Sequence, residues 1–305
     1  MAQIVSSQVD VVKPIQYYAE GLKSTASNFA KSIPSSTSFT VVGKNAKFTY
    51  SDEITKEDLR KVGSVNRVDS VLTGKQGTLQ ITTNVTDDDL GFIKYCFNDG
   101  DGTTATNDSS LAFVYSYKVA GTETFRILRG CLPTSATLNV TNRGLVELQA
   151  TFTVFSPDDE TQSANGGLTT PTFGSVSSST VWSHSSGGSS PFTWDSVTYR
   201  EKGFSLSVNY EYTILDSSGD LTVQWAGISK KEVSGSASVF KKDLLLQADV
   251  TAQNQVTASR VIKTSVATVT FTSAVLDGHS YNADGDSSDA TIEELGFTAN
   301  SVAIS

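Results

Sequence analysis

The sequence predicts a mainly antiparallel β protein that forms packed sheets or partly closed barrels. Apolar residues alternate with polar ones in most segments, turn residues separate these segments, and no segment has the long apolar run of a membrane span. The chain has 305 residues, of which 38% are hydrophobic. This content is enough for one large domain or two ordinary domains, each with its own core.

The N-terminal segment is compatible with two structures. Between Lys13 and Ile33, apolar residues recur every three or four positions, which predicts a helix. They are Ile15, Tyr18, Leu22, Ala26, Phe29 and Ile33. Gly21 and many Ser and Thr residues weaken such a helix, so a partly extended N-terminal arm is the alternative, only slightly less favoured than the helix.

A short helix is predicted in TDDDLGFIKYCFNDG, residues 86–100. Thr86 can cap its N-terminus, and the acidic run 87–89 suits the positive end of the helix dipole. Asn98 and Gly100 end it. One face carries Leu90, Ile93 and Phe97. Such a helix would close the open end of a β-sandwich.

The segment GCLPTSATLNVTNRGLVELQATFTV, residues 130–154, predicts a β-hairpin that turns at Asn142-Arg143-Gly144. Gly144 is expected to take the positive φ of a type I turn closed by a bulge. One face is apolar, with Ala136, Leu138, Val140, Val146, Leu148, Ala150, Phe152 and Val154. The other face is a row of Ser, Thr, Asn and Gln, which suits contact with another protein surface or an aqueous channel.

Similar alternation predicts further strands on both sides of this hairpin. The apolar faces contain Leu111, Phe113, Tyr115, Tyr117 and Val119; Phe204, Leu206, Val208, Tyr210, Tyr212 and Ile214; Leu221, Val223 and Trp225; Val233, Ala237 and Val239; and Val269, Phe271 and Val275.

The two halves of the chain share a pattern that indicates a duplicated β domain. A Gly-led alternating strand followed by an acidic residue and a Leu-containing turn occurs at 76–92 and again at 234–247, with Gly77 and Gly235 158 positions apart. The segment 157–194 is rich in Gly, Ser and Pro, which predicts a linker or exposed loop. We therefore expect domains at 1–160 and 194–305, joined by 161–193.

Charge and composition exclude several function classes. The net charge is −9 and only 18% of residues are charged, so a nucleic-acid binder that grips phosphates through a basic stripe is not expected. MAQIVSSQVD lacks the basic start and apolar stretch of a secretory signal. Cys96 and Cys131 lie among apolar residues and are expected to be small buried hydrophobes rather than a disulfide or a reactive thiol.

The sequence offers no catalytic residue set and no cofactor motif. GxSxG, GxxxxGK[ST] and strand-led GxGxxG patterns are missing, and His184 and His279 are expected in solvated loops. The acidic run 87–89 is explained by helix capping, and 158–160 by a solvated turn. No enzyme activity is expected.

A weak calcium-loop candidate lies in YNADGDSSDATIEEL, residues 281–295. Asn282, Asp284, Asp286 and Glu293 fall at positions 1, 3, 5 and 12 of such a loop. Ser287 replaces the glycine required at position 6, so an acidic hairpin loop is the favoured interpretation. No other metal site is expected.

Aromatic residues also allow a carbohydrate-binding face as an alternative. Tyr17, Tyr18, Trp182, Trp194 and Trp225 are the candidates. Aromatic residues at alternating strand positions are more often core, and Trp182 and Trp194 flank the Gly/Ser loop, where they would anchor it.

The order of these segments resembles that of the major tail tube proteins of long-tailed, siphovirus-like bacterial and archaeal viruses. The resemblance covers roughly residues 40–305. It rests on the 130–154 hairpin, the Gly/Ser/Pro loop, and the later segments WDSVTYREKGFSLSVNYEY and ISKKEVSGSASVFKKDLLL.

The resemblance implies tandem tail-tube-type β-sandwich or half-barrel domains, each with a short flanking helix. Copies would join edge to edge into rings, which stack into a hollow conduit for the genome. Residues 44–71 occupy the place of the family's loop that contacts the next ring. With a duplicated chain, a trimeric ring with pseudo-sixfold symmetry is expected.

The resemblance further implies a structural protein of the virion tail, made in the host cytoplasm, with no membrane contact. Its partners would be itself, the terminator, tape measure and baseplate proteins, and double-stranded DNA that passes without specific contacts. The alternatives are another β-rich virion part (tail terminator, baseplate or capsid decoration protein) or a carbohydrate-binding or adhesion module.

Overall fold

A computed structural model describes residues 11–22, 38–60, 67–97, 109–119, 122–157, 171–176, 178–189, 191–216, 223–241, 245–282 and 291–305. These residues form fifteen strands and two short α-helices, which confirms the prediction of a mainly antiparallel β protein. The elements are β1 Val11–Leu22, β2 Thr40–Val41, β3 Lys44–Arg60, β4 Arg67–Asn84, α1 Leu90–Phe97, β5 Ser109–Val119, β6 Thr122–Val140, β7 Val146–Pro157, β8 Phe192–Trp194, β9 Val197–Tyr199, β10 Glu201–Asp216, β11 Val223–Phe240, α2 Leu245–Ala252, β12 Val256–Lys263, β13 Ala267–Asn282, β14 Ile292–Ala299 and β15 Ser301–Ile304.

Eight strands form one continuous sheet, which we call the inner sheet. Its order is β3-β4-β7-β6-β10-β11-β14-β13. Two smaller outer sheets, β5-β1-β2 and β12-β8-β9, branch from the long strands β6 and β13. Aromatic rings fill the space between the layers. The ring centroids of Phe113 in β5 and Phe152 in β7 are 4.9 Å apart, and those of Trp194 in β8 and Phe297 in β14 are 5.5 Å apart. The main core therefore lies between the inner and outer sheets.

The strand order of the first half repeats in the second half. The first half runs β3-β4-β7-β6-β5-β1-β2, and the second runs β10-β11-β14-β13-β12-β8-β9. A short helix follows the fourth strand in each half, α1 after β4 and α2 after β11. The duplicated pattern read from the sequence therefore appears in the topology.

The pairing registers repeat as well. Phe48 lies opposite Ile81 in β3–β4, and Phe204 lies opposite Ala237 in β10–β11, with 156 positions between equivalent residues. A register shift follows Thr55 in the first hairpin, and the equivalent shift follows Glu211 in the second. Because irregularities coincide as well as regular pairs, the alignment of the halves is fixed to the residue.

This alignment corrects the match between glycines that the sequence suggested. In the second half, Gly235 lies opposite Leu206. The residue equivalent to Leu206 in the first half is Tyr50, and Tyr50 lies opposite Leu79. Gly235 is thus equivalent to Leu79, and the match to Gly77 was wrong by two residues. Since side chains alternate with a period of two, a shift of two leaves the predicted faces unchanged.

The predicted helix after β4 is confirmed. A 3-10 turn at Asp87–Asp89 precedes α1, and the Asp89 carboxylate accepts hydrogen bonds from the Thr86 backbone N–H (2.7 Å), the Thr86 hydroxyl (2.6 Å) and the Gly43 N–H (2.7 Å). Burial raises the pKa of the Asp89 carboxyl, and these hydrogen bonds oppose that shift. Asp89 thereby ties the helix start to the β2–β3 connection.

The predicted helix at 13–33 is wrong for its first part, because residues 11–22 form strand β1. The pairing of β1 with β5 is irregular at three places, and Ile15, Gln16 and Tyr17 are all buried. Irregular pairing and burial on both faces remove the simple alternation and leave apolar residues at near-helical spacing. The extended alternative holds for 11–22, and residues 23–33 lie outside the described part.

The 130–154 hairpin has the predicted faces, since all eight residues of its apolar face are buried. The turn differs from expectation. Arg143, not Gly144, takes a positive φ of 57°. A Cβ atom on Gly144 would lie 2.0 Å from Thr141 Oγ1, so the glycine permits a close approach within the loop.

The expected shared face of Phe271 and Val275 is also corrected. Ser273 has a φ of 51°, and beyond it Ala274 and Leu276 are buried while Val275 is half-buried. At this point β13 leaves β12 and β15 and begins to pair with β14. The irregular residue therefore moves the strand from the outer to the inner sheet.

The described part of the Gly/Ser segment packs on both halves: the Ser186 carbonyl accepts a hydrogen bond from the Thr264 N–H of the second half (2.9 Å), and Trp182 packs on the first half. Trp182 is buried, its N–H donates to the Val85 carbonyl (2.8 Å), and its indole N–H donates to Asp87 (2.5 Å). Trp194 is buried as well, and its indole N–H donates to Asp249 (2.9 Å). The prediction that these tryptophans anchor the segment is confirmed.

Residues 44–60 and 67–71 form paired strands rather than the expected long loop. The β3–β4 pairing runs from Lys44↔Asn84 to Arg60↔Arg67, whereas β7 covers β4 only from Gly77 to Asn84. The distal part of this hairpin therefore extends beyond the neighbouring strand. The β10–β11 hairpin extends in the equivalent way.

Replacing Asp89 by Ala is expected to lower the free energy of unfolding by roughly 2–4 kcal/mol, because two buried N–H groups lose their acceptor. The matched control is Asp88→Ala in the same turn, where the carboxylate is exposed and the expected loss is about 1 kcal/mol or less. Urea unfolding of the monomer, followed by circular dichroism, measures both. Equal losses would contradict the role given to Asp89.

Replacing Arg143 by Gly is expected to raise the free energy of unfolding by about 0.5 kcal/mol, because relief of the left-handed conformation exceeds the entropy cost of glycine. Asn142→Gly, in the same loop but without a positive φ, should lower it by about 0.5 kcal/mol. The same unfolding assay distinguishes them. Changes of the same sign in both variants would show that the turn is described wrongly.

Candidate assembly surface

The face of the inner sheet that points away from the core is polar across both halves; we call it the polar face. Directly paired residues share a face in an antiparallel sheet. One row crosses six neighbouring strands without a charge: Thr82, Gln149, Thr137, Ser207, Ser234 and Thr298. The Ser/Thr/Asn row seen in the hairpin sequence is therefore part of a surface that spans the molecule.

Side chains on the polar face bond to one another across strands. Thr137 Oγ1 lies 3.0 Å from Ser207 Oγ, and the Ser205 hydroxyl donates to Asn139 Oδ1 at 2.7 Å. The Ser238 hydroxyl donates to Glu294 at 2.5 Å. These contacts satisfy several of the small polar groups within the sheet.

The two halves meet in a pairing of β6 with β10, which we call the internal joint. It contains six residue pairs, from Phe204↔Val140 to Asn209↔Ser135. On its core side Leu206 lies opposite Leu138, and both are fully buried. Sheet hydrogen bonds and apolar packing thus hold the halves together.

The inner sheet ends at β3 on one side and at the second half of β13 on the other. Within the described residues, β3 pairs only with β4, and residues 275–282 of β13 pair only with β14. Tyr281 on this β13 edge is 59% exposed. Long uncovered edges normally invite pairing with another chain.

Ionisable groups near the β3 edge are engaged in local contacts. The Arg126 guanidinium donates to both oxygens of Asp52, at 3.0 and 2.9 Å, and Asp52 also accepts from the Tyr50 hydroxyl. Burial and this hydrogen bond raise the pKa of Tyr50 well above its usual range. Tyr50 is therefore neutral at physiological pH.

The β13 edge carries its own polar cluster. His279 Nε2 lies 3.2 Å from Glu293 Oε1, and Lys241 Nζ lies 3.6 Å from the same oxygen. His279 is in a strand with its side chain 7% exposed, so its expected position in a solvated loop was wrong. His184 is in a 3-10 turn, 4.0 Å from the buried Glu201, and is likewise not a freely solvated loop residue.

The calcium-loop candidate is only partly within the described residues. Asp284 and Asp286 lie outside them, Asn282 ends β13, and Glu293 is buried on β14 beside His279. The site stays a prediction. Within the described ranges, no three His, Cys, Asp or Glu residues are grouped to hold a metal.

Further ionisable or nucleophilic side chains are buried in the described part of the chain. Cys96 and Cys131 are buried, as predicted, and form no disulfide, and burial raises the pKa of the Cys131 thiol. Arg260 and Glu201 form a fully buried bidentate ion pair, at 3.1 and 3.2 Å. This pair had no signal in the sequence because its residues are 59 positions apart.

The aromatic candidates do not form a common exposed face. Tyr17, Trp182 and Trp194 are buried and Tyr18 is half-buried. The side chain of Trp225 lies outside the described part. No helix among the described residues has the length and apolar character needed to span a membrane.

Comparisons with known proteins identify the family. The family model described as phage tail tube protein matches residues 23–299. Curated proteins give no match. Among solved structures, a chain from the virion of a native gene transfer agent particle matches with 13% identity and a TM-score of 0.29, covering 39% of this chain and 97% of that chain. The family assignment rests on the model match, which spans most of the chain.

The fold and surface described above agree with this match: a β-rich subunit with two uncovered sheet edges and one continuous polar face. The chain belongs to the phage tail tube protein family and is a structural subunit of a viral tail tube, located in the virion tail.

Proposed function

We propose that three copies of this chain close into a ring with pseudo-sixfold symmetry, and that the rings stack into the hollow tube through which the genome passes. The observation that carries the proposal is the repeated strand order, since each chain supplies two equivalent units. Three inner sheets of eight strands each would close a barrel of twenty-four strands. Closure would also remove both uncovered edges, the usual solution in β proteins.

The polar face is the surface we assign to the bore. Its opposite side is the apolar core, so only the polar face is free to contact water and DNA. Hydroxyl and amide groups that already bond to each other form few contacts with phosphates. Because phosphate binding by proteins depends on Lys and Arg, DNA would move along this surface with little resistance.

Ring stacking would use the two extended hairpins. The distal parts of β3–β4 and β10–β11 reach beyond the strands beside them, at equivalent places in both repeats. In the first repeat this segment overlaps residues 44–71, for which the family resemblance implied contact with the next ring. The tail terminator, tape measure and baseplate proteins remain the expected partners at the ends of the tube and within it.

We propose the domain limits predicted from the sequence, which agree with the repeats except at the start of β8. Domain 1–160 contains β1 to β7, and domain 194–305 contains the second repeat apart from the first two residues of β8. Residues 161–193 connect them. We propose no catalytic step, because the described buried ionisable groups serve structural contacts.

Purified protein is expected to form rings or straight hollow tubes in negative-stain electron microscopy. End-on class averages should show three chains and six similar lobes. The threefold arrangement combines the two repeats in each chain with the sixfold pattern that the family resemblance implies. Sedimentation showing a compact monomer at every concentration would contradict the assembly, and a ring of six chains would contradict the trimer.

A cysteine at Ser236, in the middle of the polar face, is expected to change its labelling on assembly. In the monomer, Ser236→Cys should react with both a small maleimide and a 5 kDa polyethylene-glycol maleimide, about 3 nm or more across, since the position is exposed and both native cysteines are buried. In long tubes the small reagent should still react, while the large one is excluded from the bore.

The outcomes of this labelling separate the possible positions of the polar face. Continued reaction with the large reagent in tubes would place the polar face outside. Loss of reaction with both reagents would place it in a contact between subunits. Either result would contradict its assignment to the bore.

A further inference from the structure

The chain contains its own template for the contact between copies. In the internal joint, β10 of the second repeat pairs with β6 of the first. The strand equivalent to β10 is β3, and the strand equivalent to β6 is β13. These two are the strands that end the inner sheet without a partner among the described residues, so the unoccupied edges are the two halves of a second joint.

The register of this second joint follows from pairings that repeat without exception. Each residue of β3 is equivalent to the residue of β10 that lies 156 positions later, as the registers of the β3–β4 and β10–β11 hairpins show. Residues of β6 and β13 are equivalent at 143 positions apart, since Pro133↔Phe152 corresponds to Leu276↔Phe297, and a register shift follows in both. The internal joint can therefore be transferred residue by residue.

We propose that β3 of one copy pairs antiparallel with β13 of the next copy in one defined register: Thr49↔Asn282, Tyr50↔Tyr281, Ser51↔Ser280, Asp52↔His279 and Glu53↔Gly278. This inference rests on the proposed function, because it names the edges and residues through which the ring would close. Its partner is a second copy of this chain.

The residues on the core side of this register fit the transfer. Tyr50 and Tyr281 occupy the places of Leu206 and Leu138, which face each other and are fully buried in the internal joint. Pairing would cover the exposed ring of Tyr281 with another aromatic residue, a favourable cross-strand pair. The exposure of Tyr281 in a single chain is thereby explained.

The next core-side pair differs in chemistry between the two joints. Val208 lies opposite Ala136 inside the chain, whereas Asp52 would lie opposite His279 between copies. Asp52 is held by Arg126, and His279 lies beside Glu293 and Lys241, so charges of both signs would meet there. This polar pair would favour β3 over β10 as the partner of β13, since β10 offers only Val208 at that position.

On the polar side of the proposed joint, Ser51 and Ser280 occupy the positions that Ser207 and Thr137 have in the internal joint. The hydroxyl oxygens of the latter pair are 3.0 Å apart. Both Ser51 and Ser280 are exposed in the single chain, so cysteines at these positions are free to react. Their Cβ atoms would lie as close as disulfide formation requires.

The test is oxidation of Ser51→Cys/Ser280→Cys tubes, followed by electrophoresis without reductant. We expect linked dimers and trimers at several-fold higher yield than from Thr49→Cys/Ser280→Cys. The control uses the same strands but places the cysteines diagonally, about 7–8 Å apart. Thr137→Cys/Ser207→Cys supplies the internal reference, because its disulfide should form within one chain and leave the mass unchanged.

A second measurement uses the unmodified protein, in case a cysteine variant does not assemble. Photo-oxidative cross-linking of wild-type tubes should join Tyr50 to Tyr281 in a peptide identified by mass spectrometry, and Tyr281→Phe should abolish that peptide. Tubes that give the diagonal disulfide, or that give neither the disulfide nor the tyrosine link, would overturn this register while leaving the tube intact. Failure of the wild-type protein to form rings or tubes would overturn the proposed function as well.

Discussion

The hydrogen-bonding groups along the edges of the inner sheet constrain the whole molecule. Every backbone N–H and C=O group of a strand needs a partner or water, and a flat, uncovered edge is a template for another strand. Inside the chain, β6 and β10 satisfy each other in this way. Among the described residues, β3 and the second half of β13 have no such partner, and in the proposed ring a neighbouring copy would supply it.

Opposite faces of the inner sheet meet different demands. The core face carries large apolar residues such as Phe152 and Phe297, which pack against the outer sheets and stabilise each repeat. The polar face carries small groups, several of which hydrogen-bond to one another across strands. A period of two along each strand is enough to produce both surfaces, so the apolar core face and the polar face come from the same segments.

Much of this arrangement was predictable from local patterns. The alternating faces of the 130–154 hairpin and the capped helix after Thr86 follow from residue type and spacing, and the order of the segments resembles that of the family. Strand β1 was not predictable in this way, because it is buried on both faces and pairs irregularly. The sequence alignment of the two halves was wrong by two residues. The strand pairing and its register shifts determine this alignment, and residue composition does not reveal them. Tyr281 gave no signal, because its exposure depends on which strand lies beside it.

The covalent connection between the repeats has a kinetic consequence for the proposed ring. Joining two repeats in one polypeptide makes the β6–β10 contact unimolecular, at an effective concentration set by the tether rather than by protein supply. The proposed ring would then have three contacts between molecules instead of six. Duplication thus lowers the number of molecules that must associate. It also allows the joint between copies to carry side chains that differ from those of the internal joint.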